Sequence, residues 1–206
     1  NFGDPSSGVW DNTGISKNIA KGPISAHVYE TVGTFNVYLT VRNETNNIIA
    51  QETVSVTVSD PNTAYSGTNT ICVSTDTDFT GAPSGSLNIT TTNLSSITQY
   101  ATVSNRRILL KRGCSWTTTA LTWNENVDNV TIGAFGSGNK PFITFTGTGS
   151  FLILDRKKDW KIMDIEFSEP TANIDAGTFG GSMGMQNILF LRLKITGFGD
   201  TLAFSF

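Results

Sequence analysis

The chain has 206 residues, of which 38% are hydrophobic and 15% are charged, and its formal net charge is −3. This length fits one or two domains, and the negative balance argues against a general nucleic-acid-binding surface. No apolar run approaches the roughly 18 residues that a membrane-spanning helix needs, so no membrane span is predicted. The 20 glycines, with abundant threonine, serine and asparagine, are typical of an all-β protein built from strands and turns.

Both ends of the sequence have the character of interior segments. Asn1 opens the chain without a leader-like segment, and residues 201–206 are largely apolar, with no polar cap. A stack of repeats needs a polar cap at its end. We therefore expect the chain to be incomplete at both ends.

Residues 1–60 carry the alternation of apolar and polar residues that half-buried strands require. Every second residue of 34–41 is apolar, a cluster of turn-forming residues follows at 43–47, and alternation resumes at 52–58. The pattern predicts a hairpin within a small β-sandwich.

This segment resembles a PKD domain, an immunoglobulin-like β-sandwich of secreted and cell-surface proteins. The resemblance rests on Asn-Phe-Gly-Asp at 1–4, Ala-His-Val-Tyr at 26–29, the strand at 33–41 and Val-Ser-Val-Thr-Val at 54–58. It implies the larger, C-terminal part of such a domain, whose first strands would precede Asn1. PKD domains act mostly as spacers or adhesion modules, so the same role is expected here.

His27 is the single histidine of the chain and falls within the PKD-like segment. We expect it to pack or to form hydrogen bonds inside the sandwich. A Ser-His-Asp triad needs a histidine as its general base, so a lone histidine in this position argues against triad chemistry.

A second domain is predicted after a linker at 61–69. Pro61 disfavours helix at the residue before it, and an apolar strand with a turn-rich stretch follows at 70–81. Apolar residues at every third position of 94–100 predict a short capping helix.

Cys72 and Cys114 are distant in sequence, and neither has the close partner that a metal site requires. Their apolar neighbours favour small buried thiols. A disulfide that closes the start of the second domain is the alternative.

Four stretches in the second half share one apolar pattern and begin at Ile108, Val130, Trp160 and Ile188. In each stretch, residues predicted to face inward alternate with residues predicted to face outward. Two residues then interrupt the alternation before the next inward residue. Successive starts lie 22, 30 and 28 residues apart. Alternation predicts strands, and recurrence at this spacing predicts a solenoid. We therefore predict a parallel β-helix over 70–206.

Residues 107–116 and 130–143 resemble the opening rungs of right-handed parallel β-helix proteins. This superfamily includes pectate-lyase-like enzymes, other polysaccharide lyases and hydrolases, and phage tailspikes. The resemblance covers 70–206 and implies an extracellular, cell-surface or virion setting. It implies no single reaction, because many activities share the scaffold.

Alignment of the last two repeats places Asp164 beside Arg192 and Glu166 beside Lys194. Opposite charges on neighbouring strands contribute roughly 0.2–1 kcal/mol, so a solvated charge ladder explains the pattern. The alternative is a glycan groove with these four residues as catalytic candidates. A basic residue would remove a proton in a lyase, or the two carboxylates, two positions apart on one strand, would form a glycosidase pair.

Three aspartates are candidate calcium ligands, because polysaccharide lyases of the β-helix scaffold use acidic clusters for calcium. They are Asp155, Asp159 and Asp164. Calcium takes six to eight oxygen ligands, and these residues follow no known loop motif. We therefore predict no cofactor, with calcium as the alternative.

Arg156, Lys157 and Lys158 form a basic turn between two repeats. Three solvated cations are the expected outcome, and contact with an acidic polysaccharide is the alternative.

Among the tryptophans, Trp160 fits the inward stack, whereas Trp116 and Trp123 lie outside the strongest pattern and are candidate sugar-stacking platforms. Asn-x-Ser/Thr sequons begin at Asn43, Asn88, Asn93 and Asn129. Sequons matter only in a protein of eukaryotic secretory origin.

The sequence favours a structural or adhesive module of a secreted or surface-displayed protein, whose rigid face engages a polysaccharide or cell-surface glycan without catalysis. One alternative is the N-terminal part of a polysaccharide lyase or glycoside hydrolase. Another is a tailspike, fibre or self-assembling filament, in which an open strand edge pairs with a second copy of the chain.

Overall fold

A computed structural model describes residues 1–123, 126–147, 151–154, 156–169, 179–180 and 184–197. The protein is all-β and combines antiparallel with parallel pairing. It divides into two compact units, Asn1–Ala64 and Tyr65–Phe206. No helix in the described ranges is long and apolar enough to cross a membrane. The expected uncapped end at 201–206 lies outside the described residues.

The first unit contains a hairpin of β1 (Gly33–Arg42) and β2 (Ile48–Val58), which pair antiparallel as the alternation predicts. Asn43 shapes the turn between them, because its side-chain oxygen accepts a hydrogen bond from the Asn47 amide at 2.8 Å. Asn46 adopts φ 66°, a left-handed conformation that asparagine tolerates better than most residues.

Three short helical segments lie within residues 1–69. They are a 3-10 helix at Pro5–Ser7, helix α1 at Pro61–Ala64 and a 3-10 helix at Gly67–Asn69. Two of them fall within the predicted linker. Pro61 occupies the first position of α1, where its missing N–H costs nothing, and the Asp60 side chain accepts the Asn62 amide at 2.8 Å.

A buried ion pair joins the irregular segments of the first unit. His27 Nε2 lies 3.0 Å from Asp4 Oδ2, and His27 Nδ1 lies 3.1 Å from the Lys17 carbonyl oxygen. The ring therefore bridges the Asp4 carboxylate and the backbone at Lys17. The ring also stacks on Phe2 and meets Tyr29 edge-on, each with centroids 4.6 Å apart. The predicted packing and hydrogen-bonding role of His27 is confirmed.

The second unit consists mainly of short strands that pair in parallel. They are β3 (Thr70–Ser74), β4 (Leu87–Thr90), β5 (Arg106–Lys111), β6 (Ser115–Thr118), β7 (Leu121–Thr122), β8 (Val130–Phe135), β9 (Phe142–Phe145), β10 (Leu152–Ile153), β11 (Lys161–Met163), β12 (Glu166–Ser168), β13 (Phe179–Gly180), β14 (Leu189–Leu191) and β15 (Lys194–Thr196).

In the described ranges these strands form three parallel sheets. Sheet A has the order β14-β11-β8-β5-β3-β4, sheet B the order β15-β12-β9-β6, and sheet C the order β13-β10-β7. From β5 onward the chain visits sheets A, B and C in turn and then returns to sheet A, one strand further along. Each circuit is therefore one rung of a stack.

The register corrects one repeat boundary. Val130 pairs with Arg106, and Ile132 pairs with Ile108, so the repeat that we expected to start at Ile108 starts two residues earlier. The error leaves the inward set unchanged, because side chains two positions apart on a strand share a face.

Inward residues at equivalent positions stack from rung to rung. In sheet A the column is Ile108, Ile132, Ile162 and Phe190. In sheet B it is Trp116, Ile143, Phe167 and Ile195. The cavity at the centre of this core measures about 10 Å³, which is no more than one water molecule needs. This cavity is therefore too small to hold an organic ligand.

Two segments outside the rungs close this unit. The 3-10 helix Leu94–Tyr100 buries Leu94 and Ile97 completely, so the predicted capping helix takes the 3-10 form. A loop at 75–86 covers part of the outer face of sheet A, where Phe79 stacks on Phe135 with centroids 6.2 Å apart.

Lys111 ties this loop to β5. Its Nζ lies 2.9 Å from Asp76 Oδ1 and 2.8 Å from Asp78 Oδ2. Hydrogen bonds from this ammonium lower the pKa of both carboxyls. The two aspartates therefore hold a cation that the chain itself supplies.

Cys72 and Cys114 are both free and buried, which confirms the thiol interpretation. Cys72 packs with Leu109 and Phe135 beneath the loop, whereas Cys114 belongs to the interior cluster. The disulfide alternative is wrong, since the two side chains lie in different clusters. Burial raises the pKa of the Cys72 thiol.

Truncation of the stacked core is expected to destabilise the second unit. Ile132 is 3% exposed and lies at the centre of sheet A. Ile132→Ala therefore leaves a cavity that the neighbouring rungs cannot close. The expected loss is about 2–5 kcal/mol. Denaturant unfolding followed by tryptophan fluorescence measures it. The control Thr117→Ala, at an exposed position, should stay within roughly 0.5 kcal/mol of wild type. Equal stability of the two variants would contradict the stacked core.

Acid is expected to weaken the first unit through Asp4. Hydrogen bonds from Ser6 and His27 hold the pKa of Asp4 below its ordinary value of 3.8. A lowered carboxyl pKa stabilises the folded state above that ordinary value, and this contribution is lost as pH falls through the lowered pKa. Amide hydrogen exchange in 33–58 should therefore be faster in Asp4→Asn than in wild type at neutral pH. The two proteins should converge in acid, and equal protection at neutral pH would contradict the role of the ion pair.

Candidate functional site

The two tryptophans predicted as sugar platforms are buried. Trp116 is 3% exposed and Trp123 is 4% exposed. The Trp116 indole donates to the Thr91 carbonyl oxygen at 2.9 Å, and Trp123 meets Trp160 edge-on at 5.3 Å. The prediction is wrong, because both residues continue the inward alternation of β6 and β7. The inward position predicted for Trp160 is confirmed.

The basic turn exposes Arg156 and Lys158 but buries Lys157. The Lys157 ammonium donates to the Trp123 carbonyl oxygen at 2.9 Å and lies 5.8 Å from the centroid of the Trp160 ring. The expectation of three solvated cations is therefore wrong for Lys157. Arg156 adopts φ 57°, so the chain bends immediately before Lys157.

The candidate calcium ligands do not form a site in the part of the chain that the structure describes. Asp155 lies outside the described residues. Asp159 Oδ1 accepts a hydrogen bond from Asn187 at 2.9 Å, and Asp164 is held by Arg192. Within the described ranges, no group of three His, Cys, Asp or Glu side chains is placed to hold a metal ion.

Asp159 instead belongs to a ladder of turn residues that precede the strands of sheet A. The ladder is Asn105, Asn129, Asp159 and Asn187, with φ of 63°, 54°, 57° and 52°. Their side chains pair between rungs, as in the 2.8 Å bond from Asn129 Nδ2 to Asn105 Oδ1. The Asn129 sequon is therefore part of the fold. An Asn or Asp directly before each repeat is the sequence signal that reveals this ladder.

The predicted pairing of opposite charges is confirmed. Arg192 donates from Nε and Nη2 to the two carboxylate oxygens of Asp164, each at 2.7 Å. Lys194 Nζ donates to Glu166 Oε1 at 2.6 Å, and these two residues lie opposite each other in sheet B.

The predicted placement of both carboxylates on one strand is wrong. Asp164 lies between β11 and β12 with φ 61°, at the bend from sheet A to sheet B, whereas Glu166 begins β12. Each carboxylate is engaged by its own cation. The arrangement is therefore a pair of ion pairs on neighbouring elements.

Two further cations approach Asp164. Arg112 Nη2 lies 3.8 Å from Asp164 Oδ1, and Lys140 Nζ donates to the Arg192 carbonyl oxygen. Hydrogen bonds from Arg192, with the positive charges of Arg112 and Lys140, hold the pKa of Asp164 below its ordinary value. These four residues occupy the A-to-B bends of successive rungs, and we call them the basic corner.

The outward face of sheet B lies beside the basic corner and carries two columns of side chains. The first column is Ser115, Phe142, Glu166 and Lys194. The second is Thr117, Thr144, Ser168 and Thr196. Rungs are about 4.8 Å apart, so each column is a regular array. We call these eight residues the sheet B face.

Phe142 is the aromatic ring of this face and is partly exposed. Sequence reasoning missed it because it lies in the mainly apolar segment 141–145, which is typical of a protein core. Its outward position follows from the strand register, because Ile143 and Phe145 face inward and are buried.

No family model matches the chain, and no similar protein was found among curated proteins or solved structures.

Loss of Arg192 is expected to raise the pKa of Asp164 towards its ordinary value, because Arg192 donates two charge-assisted hydrogen bonds to this carboxylate. A carbon-13 NMR titration of the Asp164 carboxyl in Arg192→Gln tests this directly. The matched control is Arg156→Gln, which removes an exposed arginine from another bend and should leave the Asp164 titration unchanged. An unaltered titration in Arg192→Gln would contradict the assigned pairing.

Proposed function

We propose that this chain is a structural or adhesive module of a secreted or surface-displayed protein, and that its sheet B face binds carbohydrate. In this proposal, residues 1–60 are the larger part of a PKD-type sandwich. Residues 70–206 are the first rungs of a right-handed parallel β-helix. The antiparallel hairpin supports the first assignment, and the stacked parallel sheets support the second.

The observation that carries the proposal is the composition of the sheet B face. Phe142 supplies an aromatic ring, and Thr144 and Ser168 supply hydroxyl groups on the same and the next rung. Sugars offer apolar C–H surfaces to aromatic rings and hydroxyl groups to polar side chains, so such a face suits them. Its regular spacing favours a linear polymer over a compact small molecule.

The interior and the carboxylates favour binding over catalysis. The core cavity of about 10 Å³ is too small for a sugar. Asp164 and Glu166 are each paired with a cation at 2.7 Å or less. The described residues therefore suit a rigid scaffold that carries a binding face better than they suit a catalytic acid–base pair.

A self-assembling filament subunit is the second candidate, and strand β4 is the observation that favours it. In the described ranges β4 pairs with β3 on one side and forms the edge of sheet A. An open strand edge can pair with a strand of another copy.

The test is a panel of immobilised polysaccharides, with Phe142→Ala compared against wild type. Loss of a stacking ring should weaken binding about tenfold, because aromatic contacts contribute roughly 0.5–1.5 kcal/mol beyond their buried area. The matched control is Phe79→Ala, a partly exposed phenylalanine on the outer side of sheet A. It should bind like wild type.

Equal loss in both variants would contradict a site on sheet B. If wild type binds no polysaccharide, the carbohydrate proposal fails. Sedimentation across a concentration series then tests filament assembly.

A further inference from the structure

The geometry points to a negatively charged glycan as the ligand of the sheet B face, with its carboxylate or sulfate groups at the basic corner. This inference rests on the proposed carbohydrate function and adds the charge class of the ligand.

The basic corner runs alongside the first column of the face. Lys140 precedes Phe142 by two residues, and Arg192 precedes Lys194 by two residues. The two pairs lie two rungs apart in the stack, with the rung of Glu166 between them. A polymer lying along the first column therefore presents its substituents to the corner on successive rungs.

The corner carries more positive than negative charge. Arg112, Lys140 and Arg192 face one carboxylate, Asp164, in the part of the corner that the structure describes. Glu166 and Lys194 neutralise each other. The local excess of cations stands out because the chain as a whole has a formal net charge of −3.

Neighbouring groups reduce this excess without removing it. Lys111 precedes Arg112 and bridges Asp76 and Asp78 on the outer side of sheet A. That cluster adds one net negative charge, which leaves the edge between sheets A and B positive.

Arg112 is the residue best placed to bind an added anion. Its contact with Asp164 is 3.8 Å, against 2.7 Å for Arg192, and its bond to the Gly138 carbonyl oxygen is long at 3.5 Å. The side chain is 24% exposed, so solvent reaches it. A guanidinium offers five N–H donors in a planar fork that matches carboxylate and sulfate oxygens.

Arg156 and Lys158 provide an internal comparison. Both are exposed cations, but they lie at a different bend, between sheets C and A. A site-specific ligand distinguishes the two basic regions, whereas a nonspecific polyanion does not.

The test compares two double variants that each remove two positive charges. Arg112→Gln/Lys140→Met alters the corner, and Arg156→Gln/Lys158→Met is the matched control. The probes are polygalacturonate, dextran sulfate and neutral dextran, at NaCl concentrations from about 50 to about 500 mM, a range over which salt screens exposed charges. Melting temperatures confirm that both variants fold.

Wild type should prefer an anionic probe, and salt should weaken that binding. The corner variant should lose about tenfold in affinity and the control less than about twofold, because the control removes two exposed charges at a bend away from the sheet B face. Arg112→Lys/Lys140→Arg should retain binding. The stronger of the two anionic probes identifies uronate or sulfate as the recognised group.

Equal, salt-insensitive binding of neutral and anionic probes would overturn this inference and leave the proposed function standing. Equal loss in both double variants would also overturn it, because binding would then follow total charge. Absence of binding to every probe would overturn the carbohydrate function itself.

Discussion

The parallel register of the three sheets is the constraint on which the second unit depends. It stacks Ile108, Ile132 and Ile162 in one column, and burial of such apolar side chains is the main stabilising term in folding. A slip of one residue would turn every inward side chain outward. The same register therefore determines which side chains form the columns on the outer faces. The composition of the sheet B face follows from the packing of the core.

The bends between sheets connect this packing to the candidate site. Left-handed residues such as Asn129 and Asp164 let the chain leave one sheet and enter the next. Because bends of successive rungs stack like the strands, their side chains also form columns. One column carries amides that hydrogen-bond between rungs, and another carries Arg112, Lys140 and Arg192. The positive charge at the edge of the sheet B face is therefore carried by residues of the bends that connect sheet A to sheet B.

Much of this arrangement could be predicted from sequence. The pairing of Asp164 with Arg192 was predictable because a repeat alignment is also a prediction of strand register. The burial of Trp116 was not predicted, because its short strand departs from the strongest apolar pattern. Lys157 was assigned to solvent on its charge, yet a bend beside Arg156 places its ammonium against a buried carbonyl oxygen. Charge predicts exposure only where the path of the chain is known.

The amino-acid sequence by itself determined the all-β class, the stacked repeats and the opposite-charge pairs, because these follow from periodicity along the chain. Tertiary structure alone decided that Phe142 faces outward and that Trp123 is buried. Both are aromatic residues in or beside apolar runs, so composition does not separate them. Their exposure depends on which side of the strand meets the stacked core, and that is settled only when the rungs pack together.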